Sequence, residues 1–125
     1  MIPYIYIAGP ITGRSEDDCA YRFGSAERKV ESVGFNAVNP YRGDQGLTWK
    51  EYMQQGIADM MGCQAIFMLS GWDKSQGARI ERDLAHKLGY AVLYENIHDS
   101  GGYDDLSWYY DIKENKLKCV IDDPL

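Results

Sequence analysis

The sequence has few of the residues that build disulfides or metal sites. Its three cysteines, Cys19, Cys63 and Cys119, are odd in number and far apart, and only two histidines accompany them. Thiols without a regular spacing indicate neither a disulfide framework nor a set of metal ligands. We therefore expect free thiols in a reducing compartment, no metal site and no cofactor.

Positive charge is also scarce. The chain carries 13 Lys and Arg against 19 Asp and Glu, which gives a formal net charge of −6. A protein with this balance repels a phosphate backbone, so the composition disfavours general nucleic-acid binding. A phosphate group that this protein binds must be held locally, by backbone N–H groups and hydroxyls.

Long apolar runs are missing as well. No apolar stretch is long enough to cross a bilayer, and Met1–Tyr4 lacks the basic start and apolar core of a signal peptide. We expect a soluble, cytoplasmic protein with no membrane partner. Its 125 residues, 45 % of them hydrophobic, fit a single domain. Residues 1–95 form the expected core and residues 96–125 a C-terminal extension.

Short apolar segments alternate with helical patterns through the first 95 residues. The predicted strands are Tyr4–Ala8, Phe35–Asn39, Ala65–Leu69 and Tyr90–Tyr94. Helix-start patterns at Ser15 and Thr48 and a helical pattern from Ala78 to Leu88 supply three helices between them. The side chains predicted to face the core are Phe23, Ala26, Val30 and Val33 in the first helix, Trp49, Met53, Ile57 and Met60 in the second, and Ile80, Leu84 and Leu88 in the third.

This alternation is typical of right-handed βαβ units. It predicts an α/β fold, a Rossmann-like (flavodoxin-like) three-layer sandwich with a four- to five-stranded parallel sheet. In the extension, Asp99–Gly102 is a predicted loop, Tyr103–Glu114 has room for a helical turn or two, and Leu117–Ile121 is a candidate fifth strand. The aromatic cluster Trp108–Tyr110 is predicted to pack on the sheet edge or on a neighbouring subunit.

Two loops follow predicted strands and are rich in Gly, Ser and Thr: Gly9–Arg14 and Ser70–Gly77. Ligands of open parallel sheets bind outside the carboxyl ends of the strands, at the point where the strand order reverses. The second loop also leads into the start of a helix, where N–H groups and the helix dipole favour an anion. Each loop by itself is also compatible with an ordinary turn.

Glu81 lies four residues after Gly77, on the same helix face and about 6 Å further along the axis. A phosphate at Gly77 would leave a sugar carbon within reach of this carboxylate. The alternative is a solvated glutamate paired with Arg79 or Arg82. The small residues Ala78 and Ala85 on the same face favour an inward-facing Glu81.

Two segments together resemble the nucleoside 2-deoxyribosyltransferase superfamily, notably its small bacterial and phage branch. They are Tyr6–Gly13 and the stretch from Cys63 through Gly71-Trp72 to Ser75–Glu81. The superfamily includes the 2-deoxyribosyltransferases and the nucleoside 5′-monophosphate N-glycosidases. The similarity covers about the first three quarters of the chain.

The resemblance implies a role for each matched residue. Glu81 matches the glutamate that attacks the anomeric carbon of the sugar, and Tyr6 matches the tyrosine that supports this carboxylate. Ser75 and Gly77 match residues that hold a 5′-phosphate. The remaining matched positions, expected to contact the substrate, are Gly9, Pro10, Ile11, Thr12, Gly13, Gly71 and Trp72. The resemblance also implies a homo-oligomer, a dimer or larger.

The sequence departs from the family at a second acid. Two family aspartates, one in the second helix and one at the start of the third strand, correspond to Gly56 and Gln64. Asp59 lies about 60° round the helix from Gly56 and about 4.5 Å along it. Asp59 and the loop residue Asp73 are therefore the candidate general acids.

Two functions remain open from the sequence. The first is an enzyme that cleaves or exchanges the N-glycosidic bond of a nucleoside or its 5′-monophosphate through Glu81. The second is a catalytically inactive protein that binds a nucleotide-like small molecule or signal. In both, the partner is a nucleoside or nucleotide.

Overall fold

The computed structural model describes residues 2–95, 108–111 and 116–119, and for the last two ranges it describes the backbone only. The elements, in chain order, are β1 Tyr4–Ala8, α1 Glu16–Ser32, β2 Asn36–Val38, α2 Trp49–Met61, β3 Ala65–Met68, α3 Gln76–Lys87, β4 Ala91–Tyr94, β5 Trp108–Asp111 and β6 Lys116–Cys119. A single 3-10 turn, Trp72–Lys74, precedes α3. No helix within these ranges is long and apolar enough to cross a membrane.

Strands β1 to β4 form one parallel sheet in the order β2-β1-β3-β4. The chain steps outward from β1 to β2 and then returns to the other side of β1 for β3. The predicted α/β fold with a parallel sheet is therefore confirmed, and the strand order reverses between β1 and β3. At that point Gly9 lets the two strand ends approach, because a Cβ there would lie 2.8 Å from Leu69 Cβ.

Helices cover both faces of the sheet. The α1 face buries large apolar side chains, including Ile5 and Ile7 of β1 and Phe23 of α1. The α2/α3 face buries Tyr6 and Ala8 of β1 with residues of α2, β3 and α3. Alternate residues of β1 thus contribute to two separate cores, which makes the domain a three-layer sandwich.

Side-chain caps begin the helices at the predicted residues. Ser15 accepts a hydrogen bond from the Asp18 backbone N–H at 3.1 Å. Thr48 and Glu51 form a complete capping box. The Thr48 hydroxyl accepts from the Glu51 backbone N–H at 3.2 Å, and the Glu51 carboxylate accepts from the Thr48 backbone N–H at 2.9 Å. These caps fix where the loops after β1 and β2 end.

Part of the predicted helix packing is wrong. Trp49, Ile80 and Leu88 are 45 %, 40 % and 42 % exposed, and Val33 lies at the exposed end of α1. Helix α3 instead faces the sheet through a stripe of one acidic and two small residues, Ala78, Glu81 and Ala85. Alanine side chains let the helix lie close to the sheet, which leaves the larger Ile80 and Leu88 on the outer side.

The extension also differs from its prediction where the structure describes it. Trp108–Asp111 is a strand rather than a helical turn, and β6 pairs antiparallel with β5 instead of joining the parallel sheet. The β-favouring aromatic residues of β5 explain the difference. The predicted loop Asp99–Gly102 lies outside the described residues.

Candidate functional site

A cavity of about 690 Å³ lies at the carboxyl end of β1. The loop after β1, the connection from β2 to α2, and the first turns of α2 and α3 surround it. This is the edge of the sheet where the strand order reverses, and the volume suits a small-molecule ligand.

Glu81 and Tyr6 form a buried pair at the bottom of this cavity. The Tyr6 hydroxyl donates a hydrogen bond of 2.6 Å to Glu81 Oε2, and both residues line the cavity. Glu81 is only 7 % exposed, and no other buried residue between positions 2 and 95 carries a charged side chain. It is not the solvated partner of Arg82, because Arg82 contacts Tyr94 and Asp83 instead.

Gly56 of α2 packs directly against this pair. A Cβ at Gly56 would lie 2.7 Å from Glu81 Oε2 and 2.7 Å from the Tyr6 hydroxyl oxygen. Only glycine therefore lets α2 cover the hydrogen bond between the two side chains. With Oε2 bonded to Tyr6 and covered by Gly56, Oε1 is the Glu81 oxygen left for a ligand.

Burial sets the protonation of the pair. It raises the pKa of Glu81 from 4.5 to about 7; the hydrogen bond from Tyr6 opposes this shift, and the negative charge of Asp59 adds to it. At neutral pH roughly half of the Glu81 carboxyl is ionised. Burial and the neighbouring carboxylate raise the pKa of Tyr6 well above its ordinary value, so Tyr6 remains a neutral donor.

The first turn of α3 forms one wall of the cavity. Ser75 caps the helix by accepting from the Ala78 backbone N–H, and Ser75 and Gly77 both line the cavity. A Cβ at Gly77 would lie 2.9 Å from Met53 Sδ and 3.9 Å from Trp49 Nε1. Gly77 thus lets the starts of α2 and α3 meet, and the first N–H groups of α3 have no acceptor within the helix.

Three cationic side chains, Arg14, Arg42 and Lys74, also line the cavity. Arg14 forms an ion pair of 3.1 Å with Asp18, and its guanidinium lies beside Gly71. Arg42 forms an ion pair of 2.9 Å with Asp59. The cavity therefore offers charged side chains as well as backbone and hydroxyl groups, which the negative net charge alone did not indicate.

The structure brings most of the predicted site residues together. Those that line the cavity are Tyr6, Gly9, Pro10, Ile11, Thr12, Ser75, Gly77 and Glu81. Five predicted residues do not line it: Gly13, Asp59, Gly71, Trp72 and Asp73.

Each of these five has another position. Asp73 is exposed in the 3-10 turn, and Asp59 is turned toward Arg42. Trp72 packs on the core, with its ring 6.0 Å from that of Tyr94 and the Arg82 guanidinium over it. Gly13 and Gly71 both have a positive φ, which glycine tolerates, and they shape the two loops.

The two positions that depart from the family pattern lie in different surroundings. Gly56 contacts Glu81 at the cavity. Gln64 lies at the start of β3, where its amide oxygen accepts from the Tyr4 backbone N–H at 2.8 Å. Gln64 does not line the cavity, whereas Gly56 does, so the Gly56 departure is the one that alters this cavity.

Sequence patterns missed the second wall of the cavity. Trp49 and Met53 were predicted to lie in a buried helix stripe, yet both line the cavity beside Tyr41 and Tyr52. The signal that could have found this wall was Gly56, since a glycine inside a helix indicates close approach of another group. No cluster of three or more potential metal ligands occurs among the residues described.

The fold and the site define a Rossmann-like α/β domain with a ligand-sized cavity at the reversal of its strand order. Residues 3–94 match the family model described as a domain of unknown function, DUF4406, and the chain belongs to this family. The match runs from β1 to the end of β4 and includes Tyr6, Gly56 and Glu81. A search of curated proteins finds no match.

Proposed function

We propose that this protein cleaves the N-glycosidic bond of a nucleoside or nucleoside 5′-monophosphate, by hydrolysis or by transfer of the sugar to a second base. This is the chemistry of the nucleoside 2-deoxyribosyltransferase superfamily, which the sequence resembles. The observation that carries the proposal is the buried Glu81 carboxyl, bonded to Tyr6 and lining a cavity beside the first turn of α3.

The proposed reaction has two steps. Oε1 of ionised Glu81 attacks the anomeric carbon, the carbon–nitrogen bond breaks, and its electron pair leaves with the base. Water or a second base then attacks the same carbon and releases the sugar from Glu81. An oxocarbenium-like transition state forms in each step, and the adjacent carboxylate stabilises it.

The departing base needs a proton, and the candidate acids change with the structure. Asp59 and Asp73 do not line the cavity, whereas Glu16 and Asp44 do. The Asp44 backbone N–H donates to Glu16 at 3.2 Å, so the two side chains belong to one side of the cavity. We therefore add Glu16 and Asp44 to the candidate acids.

A 5′-phosphate fits the α3 side of the cavity. Ser75 and Gly77 present the first turn of the helix there, and Lys74 supplies a positive charge. Phosphate groups bind at helix starts because the N–H groups and the dipole both favour an anion. Gly77 and Glu81 are about one helical turn apart, a separation that is compatible with a sugar between a phosphate and the carboxylate.

The test is release of free base. Nucleosides and nucleoside 5′-monophosphates, in ribose and deoxyribose forms, are incubated with the protein and separated by chromatography. We expect a base from at least one of them, and a loss of about 100-fold or more in Glu81→Gln. Asp83→Asn, an exposed acid on the same helix, is the matched control and should keep the activity. No base from any substrate at stoichiometric enzyme would contradict the proposal.

A second candidate is binding without catalysis. The observation that favours it is Gly56, which faces Glu81 at a position where the family pattern has an acid. Calorimetry with each nucleotide, followed by chromatography of the same sample, separates the two. Tight binding of a ligand that stays intact supports binding without catalysis. An activity that Glu81→Gln abolishes contradicts it.

Assembly of several copies is a further part of the proposal and rests on the resemblance. A dimer or larger homo-oligomer is expected in solution. Light scattering coupled to size exclusion measures it, and a mass of one chain, 14.2 kDa, would contradict it.

A further inference from the structure

A second acidic residue, Asp59 of α2, lies near Glu81 of α3. Its carboxylate forms an ion pair with Arg42, which lines the cavity. Arg42 Nη2 lies 2.9 Å from Asp59 Oδ2, and Arg42 Nη1 donates to Gln55 at 3.4 Å. The Asp59 side chain is 25 % exposed and that of Arg42 is 45 % exposed. Arg42 lines the cavity and Asp59 does not, so the guanidinium is the exposed member of the pair.

The helix places Asp59 within electrostatic reach of Glu81. Asp59 follows Gly56 by three residues, which is close to one turn of α2, and Gly56 touches Glu81 Oε2. Two carboxylates at such a separation repel each other in a partly buried setting. Any group that neutralises Asp59 therefore favours the ionised form of Glu81.

We propose that Arg42 and Asp59 are positioning residues for the Glu81 carboxyl. The ion pair with Arg42 offsets part of the negative charge of Asp59 and thereby enlarges the ionised, nucleophilic fraction of Glu81. The catalytic consequence rests on the proposed function, whereas the coupling between the three side chains does not. A ligand that draws Arg42 away from Asp59 would enlarge the protonated fraction of Glu81.

Asp59 is the neighbouring charge that raises the pKa of Glu81, and the other charged residues of the cavity, Arg14, Glu16 and Asp44, are unchanged in all variants below. Tyr6 of β1 is a neutral donor, and burial raises the pKa of the Cys63 thiol, just past α2, to about 11. On α3 itself, Arg82 is engaged with Tyr94. Lys74 is the remaining cation on the α3 side of the cavity and is present in all variants below.

The test follows the titration of Glu81 in the ligand-free protein by carbon-13 NMR of side-chain carboxyls, assigned with Glu81→Gln. In the parent protein the pKa of Glu81 is about 7. We expect Arg42→Gln to raise this midpoint, and Asp59→Asn to lower it, each by about half a pH unit or more. In the Asp59→Asn background, Arg42→Gln should move this midpoint less, because the guanidinium then lacks the carboxylate that holds it in place. Arg28→Gln, an exposed arginine of α1, is the matched control and should leave the midpoint in place.

Two results would overturn the proposal. The first is that Arg42→Gln shifts the titration midpoint of Glu81 by the same amount in the parent protein and in the Asp59→Asn background. The other is a midpoint that Asp59→Asn does not lower, and this result decides the matter even if Arg42→Gln does not fold. Where base release is observed, the acid limb of kcat/KM should move with the NMR midpoint in each variant. Absence of base release counts against the proposed function alone, because the ligand-free titration is independent of it.

Discussion

The two faces of the parallel sheet share the same strands but bury different chemistry. On the α1 face, β1 contributes Ile5 and Ile7 to a core that contains apolar residues only. On the α2/α3 face, Tyr6, which lies between Ile5 and Ile7 in β1, donates a hydrogen bond to the carboxyl of Glu81. The α1 face therefore stabilises the domain, while the other face accepts a buried acid whose ionised form is costly. A stability cost of this kind is typical of functional sites.

Removing apolar volume from the α1 face should have the largest effect. Phe67 of β3 is buried among α1-face residues and does not line the cavity. We expect Phe67→Ala to lower the free energy of unfolding by about 3–5 kcal/mol, measured by urea denaturation. Tyr21→Ala, at a 71 % exposed site on α1, should change it by about 0.5 kcal/mol or less. A small loss in Phe67→Ala would remove the contrast between the faces.

Replacing Glu81, the buried acid of the α2/α3 face, with a neutral residue should instead raise the free energy of unfolding. Because the pKa of Glu81 is raised from 4.5 to about 7, the native state binds the proton more tightly than the unfolded chain. Glu81 then lowers stability progressively as the pH rises from about 4.5 to 7, by an amount of about 3 kcal/mol. Glu81→Gln removes this dependence, so its advantage over the parent protein should grow over that interval and level off above it. Urea denaturation at pH 5 and pH 8 measures the difference, and an equal advantage at both would contradict it.

Filling the glycine of α2 should give the next largest effect. In Gly56→Ala the new methyl group collides with Glu81 Oε2 and the Tyr6 hydroxyl. We expect a net loss of about 1–3 kcal/mol, because overpacking outweighs the better helix propensity of alanine. The same change should separate Tyr6 from Glu81 and shift the carboxyl titration. Carbon-13 NMR would show this, and an unchanged midpoint would mean that α2 moves away instead.

The glycine inside α1 provides the smallest expected effect. A Cβ added at Gly24 would lie 3.6 Å from the flexible Nη1 of Arg28, which is ordinary van der Waals contact. Gly24→Ala should therefore raise stability by about 0.5–1 kcal/mol. Thermal denaturation of Gly24→Ala and Gly56→Ala measures both changes, and the two substitutions should alter stability in opposite directions. A loss of stability at Gly24 would show that propensity does not decide this position.

Local patterns were sufficient to predict the architecture. Strand β1 ends where Gly9-Pro10 predicts, and Thr48 with Glu51 begins α2 as a capping box. Such signals depend on neighbouring residues alone, and the order of strands and helices follows from them. Glu81 was also placed correctly on an inward face, because alanines flank it at positions 78 and 85.

Long-range packing accounts for what the sequence did not indicate. Ile80 and Leu88 look like a core stripe, yet the helix turns its alanines to the sheet. The amphipathic pattern of Trp49 and Met53 is compatible with a core position and with a cavity wall. Only the position of Gly77 opposite them decides between the two. Asp59 was a candidate acid by spacing, but its ion pair with Arg42 depends on a loop whose path no local pattern fixes.

The hydrogen bond between Tyr6 and Glu81 joins residues 75 positions apart in the chain. No fragment that lacks either β1 or α3 contains the pair, so the site forms only when these two elements pack together. Anything that occupies the cavity consequently favours the native state of the entire domain over its unfolded chain. A melting-temperature screen over metabolite libraries would then reveal a ligand of any chemistry, before a reaction is assumed.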